Sequence, residues 1–155
     1  MAANAIPEGY HSLNAYLSVD DAAAAIDYYT EVFGAKERFR LDGPDGKIGH
    51  AELQIGDSVL MLADPSPQSS YRPPKELGGT TAGLLLYVED VDAVVAKATE
   101  AGATLTMPVE DMFWGDRFGQ VTDPFGHGWQ IATRTEDLSE EEIAERSKAA
   151  MAAMS

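Results

Sequence analysis

The sequence predicts an α+β fold: two tandem βαβββ modules whose strands form a curved, open mixed sheet. Two observations predict it. The stretch SVDDAAAAIDYYTEVFGAK from Ser18 has a counterpart in YVEDVDAVVAKATEAGATL from Tyr87, 69 positions later. Within each copy the apolar period changes from two to about 3.6 and back to two, as it must when strand, helix and strands follow one another. The modules are expected at 1–64 and 83–133, joined by a linker at 65–82 and followed by an acidic C-terminal helix at 134–155.

Each copy opens with a strand ending in Val and then two acids. The second acid, Asp21 or Asp90, is a helix N-cap candidate, because its short carboxylate can accept the unpaired amides of the first turn. Ala22, Ile26, Tyr29 and Phe33 fall on one helical face in the first copy, and Val91, Val94, Val95 and Ala98 in the second. Gly34 and Gly102 are placed to end the helices. In HAELQIGDSVLMLAD a two-residue turn at Gly56-Asp57 pairs Glu52 with Met61 and Leu53 with Leu60. DPFGHGWQIAT reads as a tight turn leading into the last strand. DPSPQSSYRPPKELGGTT is a Pro-, Ser- and Gly-rich linker or flap. In the tail, Ser139 and Glu142 form a capping box, and Ile143, Ser147, Ala150, Met151 and Met154 share a face that would dock on this chain or a partner subunit.

Of 155 residues, none is cysteine, which excludes disulfides, thiolate metal sites and thiol nucleophiles. The longest apolar run, AGLLLYV, has strand length, and the N-terminus has neither basic region nor apolar core, so neither membrane span nor signal peptide is expected. A cytoplasmic location is the default. The net charge of −15 repels phosphate backbones, so no nucleic-acid partner is expected. There is no H-E-x-x-H, G-x-S-x-G, P-loop or G-x-G-x-x-G.

Strand alternation sorts side chains onto two faces. Leu13, Ala15, Leu17 and Val19, with Ala51, Leu53 and Ile55, belong under the first helix. Leu84, Leu86 and Val88, with Trp129 and Ile131, belong under the second. The opposite faces carry Asn14, Tyr16, His50, Glu52, Gln54 and Met61 in one module and Leu85, Tyr87, Phe118, Gln120 and Gln130 in the other. That mixture of aromatic, apolar and amide groups suits a ligand cavity better than an open wet surface. Trp114, with Phe113 on the same loop, would stack on a ligand or pack against a dimer partner. These are the candidate ligand-binding residues.

His50 and Glu52 share a strand face about 6.5–7 Å apart. They could grip a ligand, act as an acid–base pair, form half of a displaced metal site, or brace the cavity wall. His127 is expected to serve turn packing, His11 the surface or an interface, and Arg117 to point away from the cavity toward an acid. Arg38 or Arg40 would enter the cavity only if the second strand turns that face inward. The aromatics, Glu52 and the overall charge favour a planar ligand that is cationic or neutral.

The doubled SVDDAAAAIDYY and YVEDVDAVVAKA openings and the DPFGH turn resemble the vicinal oxygen chelate superfamily, which includes glyoxalase, bleomycin-resistance proteins and extradiol dioxygenases. HAELQIGDSVLMLAD, FWGDRFGQVTDPFGH and the LSEEE tail look like its PhnB-like branch. The resemblance implies four metal-ligand positions, which fall here on Asn14, Met61, Gly83 and Gln130 where the family has His or Glu. The implied reading is therefore a small-molecule binding protein without the usual metal site and without a cofactor. WG..F...DP.G, at Trp114, Gly115, Phe118, Asp123, Pro124 and Gly126, resembles the bleomycin-resistance pattern, whose members sequester a cationic, partly aromatic ligand in clefts shared by two subunits. The other class implied is a lyase, isomerase or dioxygenase working through a displaced metal or His50/Glu52 acid–base chemistry. A homodimer is expected, because Leu85 and Phe118 would be partly bare in a monomer.

Overall fold

The computed structural model describes residues 2–155 and divides the chain into two compact units, Met1–Thr80 and Thr81–Ser155. Each unit holds one βαβββ module. In the first, the chain runs through strand β1 (Ala15–Ser18), helix α1 (Ala22–Phe33) and strands β2 (Lys36–Asp42), β3 (Ile48–Ile55) and β4 (Ser58–Ala63). A short helix, α2 (Pro74–Leu77), follows. The second module contains β5 (Gly83–Tyr87), α3 (Val91–Glu100), β6 (Thr104–Asp111), β7 (Asp116–Thr122) and β8 (Gly128–Arg134), before the terminal helix α4 (Glu140–Met154). The sheet orders are β1-β4-β3-β2 and β5-β8-β7-β6. In both, the first strand lies parallel to the last and the remaining pairs are antiparallel. The predicted α+β class and the doubled unit are thus present, as two four-stranded mixed sheets.

The caps explain where the helices begin. Asp21 Oδ1 accepts from the Ala24 amide and Asp90 Oδ1 from the Ala93 amide, each at 3.1 Å. A second device also repeats. Asp64, just past β4, accepts from the Ala22 amide at 2.8 Å; Thr133, at the matching place on β8, accepts from the Val91 amide at 3.0 Å. The last strand of each module therefore holds the start of that module's own helix. Gly34 closes α1 in the left-handed region at φ 68°, where a Cβ would be strained. The cap of α3 differs from expectation: Ala101 takes the position, and Gly102 follows one residue later.

Each helix buries its apolar stripe on its own sheet. Ala22, Ala25, Ile26, Tyr29 and Val32 of α1 are buried with Leu53 and Leu62; Val91, Val95 and Ala98 of α3 are buried in the second module, where Val121, Trp129 and Ile131 are the buried strand residues. Fully burying such a side chain contributes about 1.5–3 kcal/mol. On α4, Ile143, Ser147 and Ala150 are half-buried, whereas Met151 and Met154 are exposed.

The DPFGH turn owes its sequence to Asp123, which is 4 % exposed. Its Oδ1 accepts from the amides of Phe125 and His127, and its Oδ2 from Trp129 Nε1. Gly126, at φ 91°, donates its amide to the Asp123 carbonyl and lets the chain reverse. The histidine of the motif thus has its amide in the turn, as expected for His127.

Candidate functional site

The register of the first sheet matches expectation: Glu52 pairs with Met61 and Leu53 with Leu60. Because Tyr16 pairs with Met61, and Phe39 with Glu52, one row across the sheet reads Tyr16, Met61, Glu52, Phe39. Tyr10, from the segment before β1, reaches this row and donates its hydroxyl to Glu52 Oε1. The other carboxylate oxygen, Oε2, lies 2.8 Å from His50 Nε2. His50 Nδ1 lies 2.9 Å from the Tyr16 hydroxyl. The result is one hydrogen-bonded chain, Tyr10–Glu52–His50–Tyr16.

Hydrogen-bond chemistry fixes its polarity. An ionised carboxylate only accepts, so Nε2 of His50 donates to Glu52; a neutral imidazole then accepts the Tyr16 proton at Nδ1. The bond from His50, followed by that from Tyr10, holds the Glu52 carboxyl below its ordinary range against an opposing push from burial, with weaker help from the Arg38 charge. Desolvation, then the Glu52 charge, raises the Tyr16 phenol, so Tyr16 is held as a proton carrier and not as a phenolate. For Tyr10 the bond to Glu52 is the first cause of an upward shift.

Alternation alone did not place Arg38 and Phe39. A bulge between Glu37 and Phe39 shifts the register of β2 against β3, so two residues oppose Glu52 where regular pairing would put one. Phe39 thereby approaches His50, with ring centroids 6.2 Å apart. Arg38 donates to Gln54 Oε1 at 3.1 Å and stands 5.0 Å from the centre of the Tyr10 ring. Arg40 instead pairs with Glu37 at 2.6 Å. One arginine, then, joins the mixed face, and it arrives with partners. Asn14 precedes β1 and clasps the backbone of His11 at both N (3.2 Å) and O (2.7 Å). Leu13, outside the strand, is 90 % exposed rather than buried. His11 contacts the Asp57 carbonyl at 2.9 Å.

In the second module, Gln120 pairs with Gln130, and Leu85 with Gln130, placing all three in one row. The Gln130 amide nitrogen lies 3.7 Å from where a Cβ on Gly83 would stand. Tyr87 donates to Asp116 Oδ2 at 2.8 Å, and Trp114 Nε1 donates to the same oxygen at 3.1 Å. The bond from Tyr87 to Asp116 is the first cause of the upward shift of the Tyr87 phenol. Asp116, 6 % exposed, escaped the sequence reading although it directly follows the Trp-Gly pair. The Trp114 ring meets Phe113 and Phe118 edge-on, with centroids 5.0 and 5.4 Å away. Phe118 is consequently buried, at 7 % exposure, where a partly bare side chain was expected. Leu85 is half exposed, as expected. Arg117 turns out to Asp92 (2.7 Å) and Asp111 (3.2 Å).

These contacts account for the WG..F...DP.G pattern through packing. Trp114 seals Asp116 and Phe118. A Cβ on Gly115 would come within 3.0 Å of the Glu136 carbonyl. Asp123 and Gly126 build the turn. The pattern thus has a packing role in the module.

The four family ligand positions do not suit a divalent ion. Asn14 spends its amide on His11, Met61 offers a soft thioether, Gly83 has no side chain, and Gln130 is neutral. Among the described residues, no group of three or more His, Asp or Glu could hold a metal ion.

The chain belongs to the Glyoxalase/Bleomycin resistance protein/Dioxygenase superfamily, whose profile matches residues 11–131. It is 44 % identical over 146 residues to an uncharacterized protein of Mycobacterium bovis, covering 92 % of this chain and 93 % of that one. Among solved structures, TioX from Micromonospora is similar at a TM-score of 0.64 and 29 % identity, with 80 % of this chain and 98 % of that one covered. A PhnB protein from Bacillus cereus shares the fold at a TM-score of 0.63 and 18 % identity, over 79 % of this chain and 99 % of that one. Among the described residues, no helix is long and apolar enough to cross a membrane.

Proposed function

We propose that the protein binds a small planar molecule on the mixed face of its first module, without the superfamily's usual metal, in a sequestering role of the bleomycin-resistance kind. The observation that carries this reading is the Tyr10–Glu52–His50–Tyr16 chain. It draws polar groups from two strands and the N-terminal segment into a preset arrangement, flanked by Phe39, Gln54 and Met61. A face whose polar groups already satisfy one another loses little order on binding, which favours affinity. The Arg38 charge offsets that of Glu52, so the ligand is uncharged or singly positive, and the net charge of −15 slows encounter with anions. Native mass spectrometry of the freshly purified protein tests the reading. A co-purified small molecule, displaced from the wild type and absent from His50→Ala, is the expected result. A bare chain, together with no binding across a panel of cationic, neutral and anionic aromatics, would reject it.

One observation favours an enzyme as the second reading. Glu52, His50 and Tyr16 stand in the order orienting acid, imidazole, terminal proton carrier. In that reading the Tyr16 oxygen takes a proton from a bound substrate as its own proton passes to His50 Nδ1, and the Glu52 carboxylate stabilises the imidazolium so formed. Turnover that survives chelators and disappears in Tyr16→Phe, with binding retained, would establish it over simple sequestration.

A further inference from the structure

We infer that the loop from Pro65 to Arg72 and the adjoining edge of the first sheet form a pocket for a single-ring aromatic molecule, neutral or singly positive, with Tyr16 on the sheet wall and Tyr71 on the loop wall. The inference deepens the proposed function: it rests on a small molecule binding to the first module and assigns where and what.

The sequence marks 65–82 only as a linker or flap, yet its first half is built. Arg72 Nη1 donates to the carbonyls of Ser69 (2.9 Å), Tyr71 (3.3 Å) and Ser66 (3.4 Å), while Nε pairs with Glu76 at 3.4 Å. The Ser66 hydroxyl accepts from the Gln68 amide, and the Ser69 hydroxyl from the Tyr71 amide. One guanidinium and two hydroxyls thus fix a segment rich in residues that otherwise favour disorder. With its backbone so held, Tyr71 is 70 % exposed. An ordered aromatic with an open face beside a cavity is placed to stack on a flat ligand.

Tyr16, Ser18, Asp64, Ser66, Ser69 and Tyr71 line the same pocket, of about 260 Å³. That lies just below the ~300–1,000 Å³ of sites for drug-sized ligands, so the space suits one ring with short substituents. The serines offer neutral polar contacts. Asp64 contributes the pocket's one carboxylate, its oxygens already accepting from the Ala22 and Ile48 amides at 2.8 Å. Among the described residues no Lys or Arg lines the space, and Arg72 faces its own loop's carbonyls. An anion would meet a carboxylate with no compensating cation, whereas a neutral or singly positive ring would not. The Tyr16 hydroxyl, hydrogen-bonded to His50, couples the pocket to the chain of the sheet face.

The test is a titration of ¹⁵N-labelled protein with benzylamine, benzyl alcohol and benzoate, followed by amide shifts. Benzylamine and benzyl alcohol are expected to give saturable shifts at Gly49, Ser66 and Ser69, with benzoate about tenfold weaker or more. Tyr71→Ala, at an exposed position, should leave the rest of the spectrum unchanged and weaken the first two by about tenfold. Arg72→Gln should weaken them too, and speed hydrogen exchange at the Ser69 and Tyr71 amides. Shifts confined to Glu52, Gln54 and Met61 with a silent loop would overturn the pocket while leaving binding on the sheet face intact. Unchanged affinity in Tyr71→Ala, tighter binding of benzoate, or no shift with any probe up to about 20 mM would also overturn it.

Discussion

Trp129 Nε1 donates to Asp123 Oδ2 at 2.8 Å, tying the last strand to the turn that begins it. The carboxylate also holds the Phe125 and His127 amides, and it is buried. Truncating it strands three donors out of water. Asp123→Ala is therefore expected to destabilise the protein by about 2–4 kcal/mol, read from urea unfolding. A change under about 0.5 kcal/mol, as at a free surface position, would show the turn to be held by other means.

Glu52 makes stability depend on acid. Its folded carboxyl titrates below the ordinary range, chiefly through His50. A depressed folded pKa adds stability above the unfolded value of about 4.3, lost as pH falls through the folded one. The thermal midpoint of the wild type should drop more steeply between about pH 5 and pH 3 than that of Glu52→Gln. Parallel curves would mean that the carboxyl is not held by its neighbours.

With Asn14, Met61, Gly83 and Gln130 at the family's ligand positions, the purified protein is expected to carry no stoichiometric divalent ion. Elemental analysis after gel filtration checks this directly. About one Zn, Fe, Mn or Ni per chain, lost in His50→Ala, would point to a displaced site built on His50 and Glu52.

We propose that the protein is a homodimer. Leu85 and Tyr87 on the second sheet are 50 % and 57 % exposed, and Met107 is 37 % exposed in the same row as Leu85. Apolar groups gathered on a sheet face favour association. Light scattering at tens of micromolar should return twice the chain mass; a monomer there would refute the proposal.

The sequence by itself determined the doubled βαβββ order, both helix N-caps, the pairing of Glu52 with Met61 and the outward course of Arg117. These follow from local rules: alternation, helical period, short capping side chains, and a two-residue turn that leaves the hairpin only one register. It also brought His50 and Glu52 to one face, since residues two apart on a strand must share it. What the tertiary structure decided depends on long-range approach or a break in alternation. A bulge at Glu37 and Phe39 set Phe39 opposite Glu52 beside Arg38 and sent Arg40 to Glu37, which no period-two count foresees. Tyr10 reached Glu52 from 42 positions away, out of a segment with no periodicity. Trp114 bonded to Asp116 and met the Phe118 ring edge-on, contacts between a loop and a strand that no periodicity announces. Arg72 ordered a linker whose composition reads as flexible, because three carbonyls happened to converge on its guanidinium.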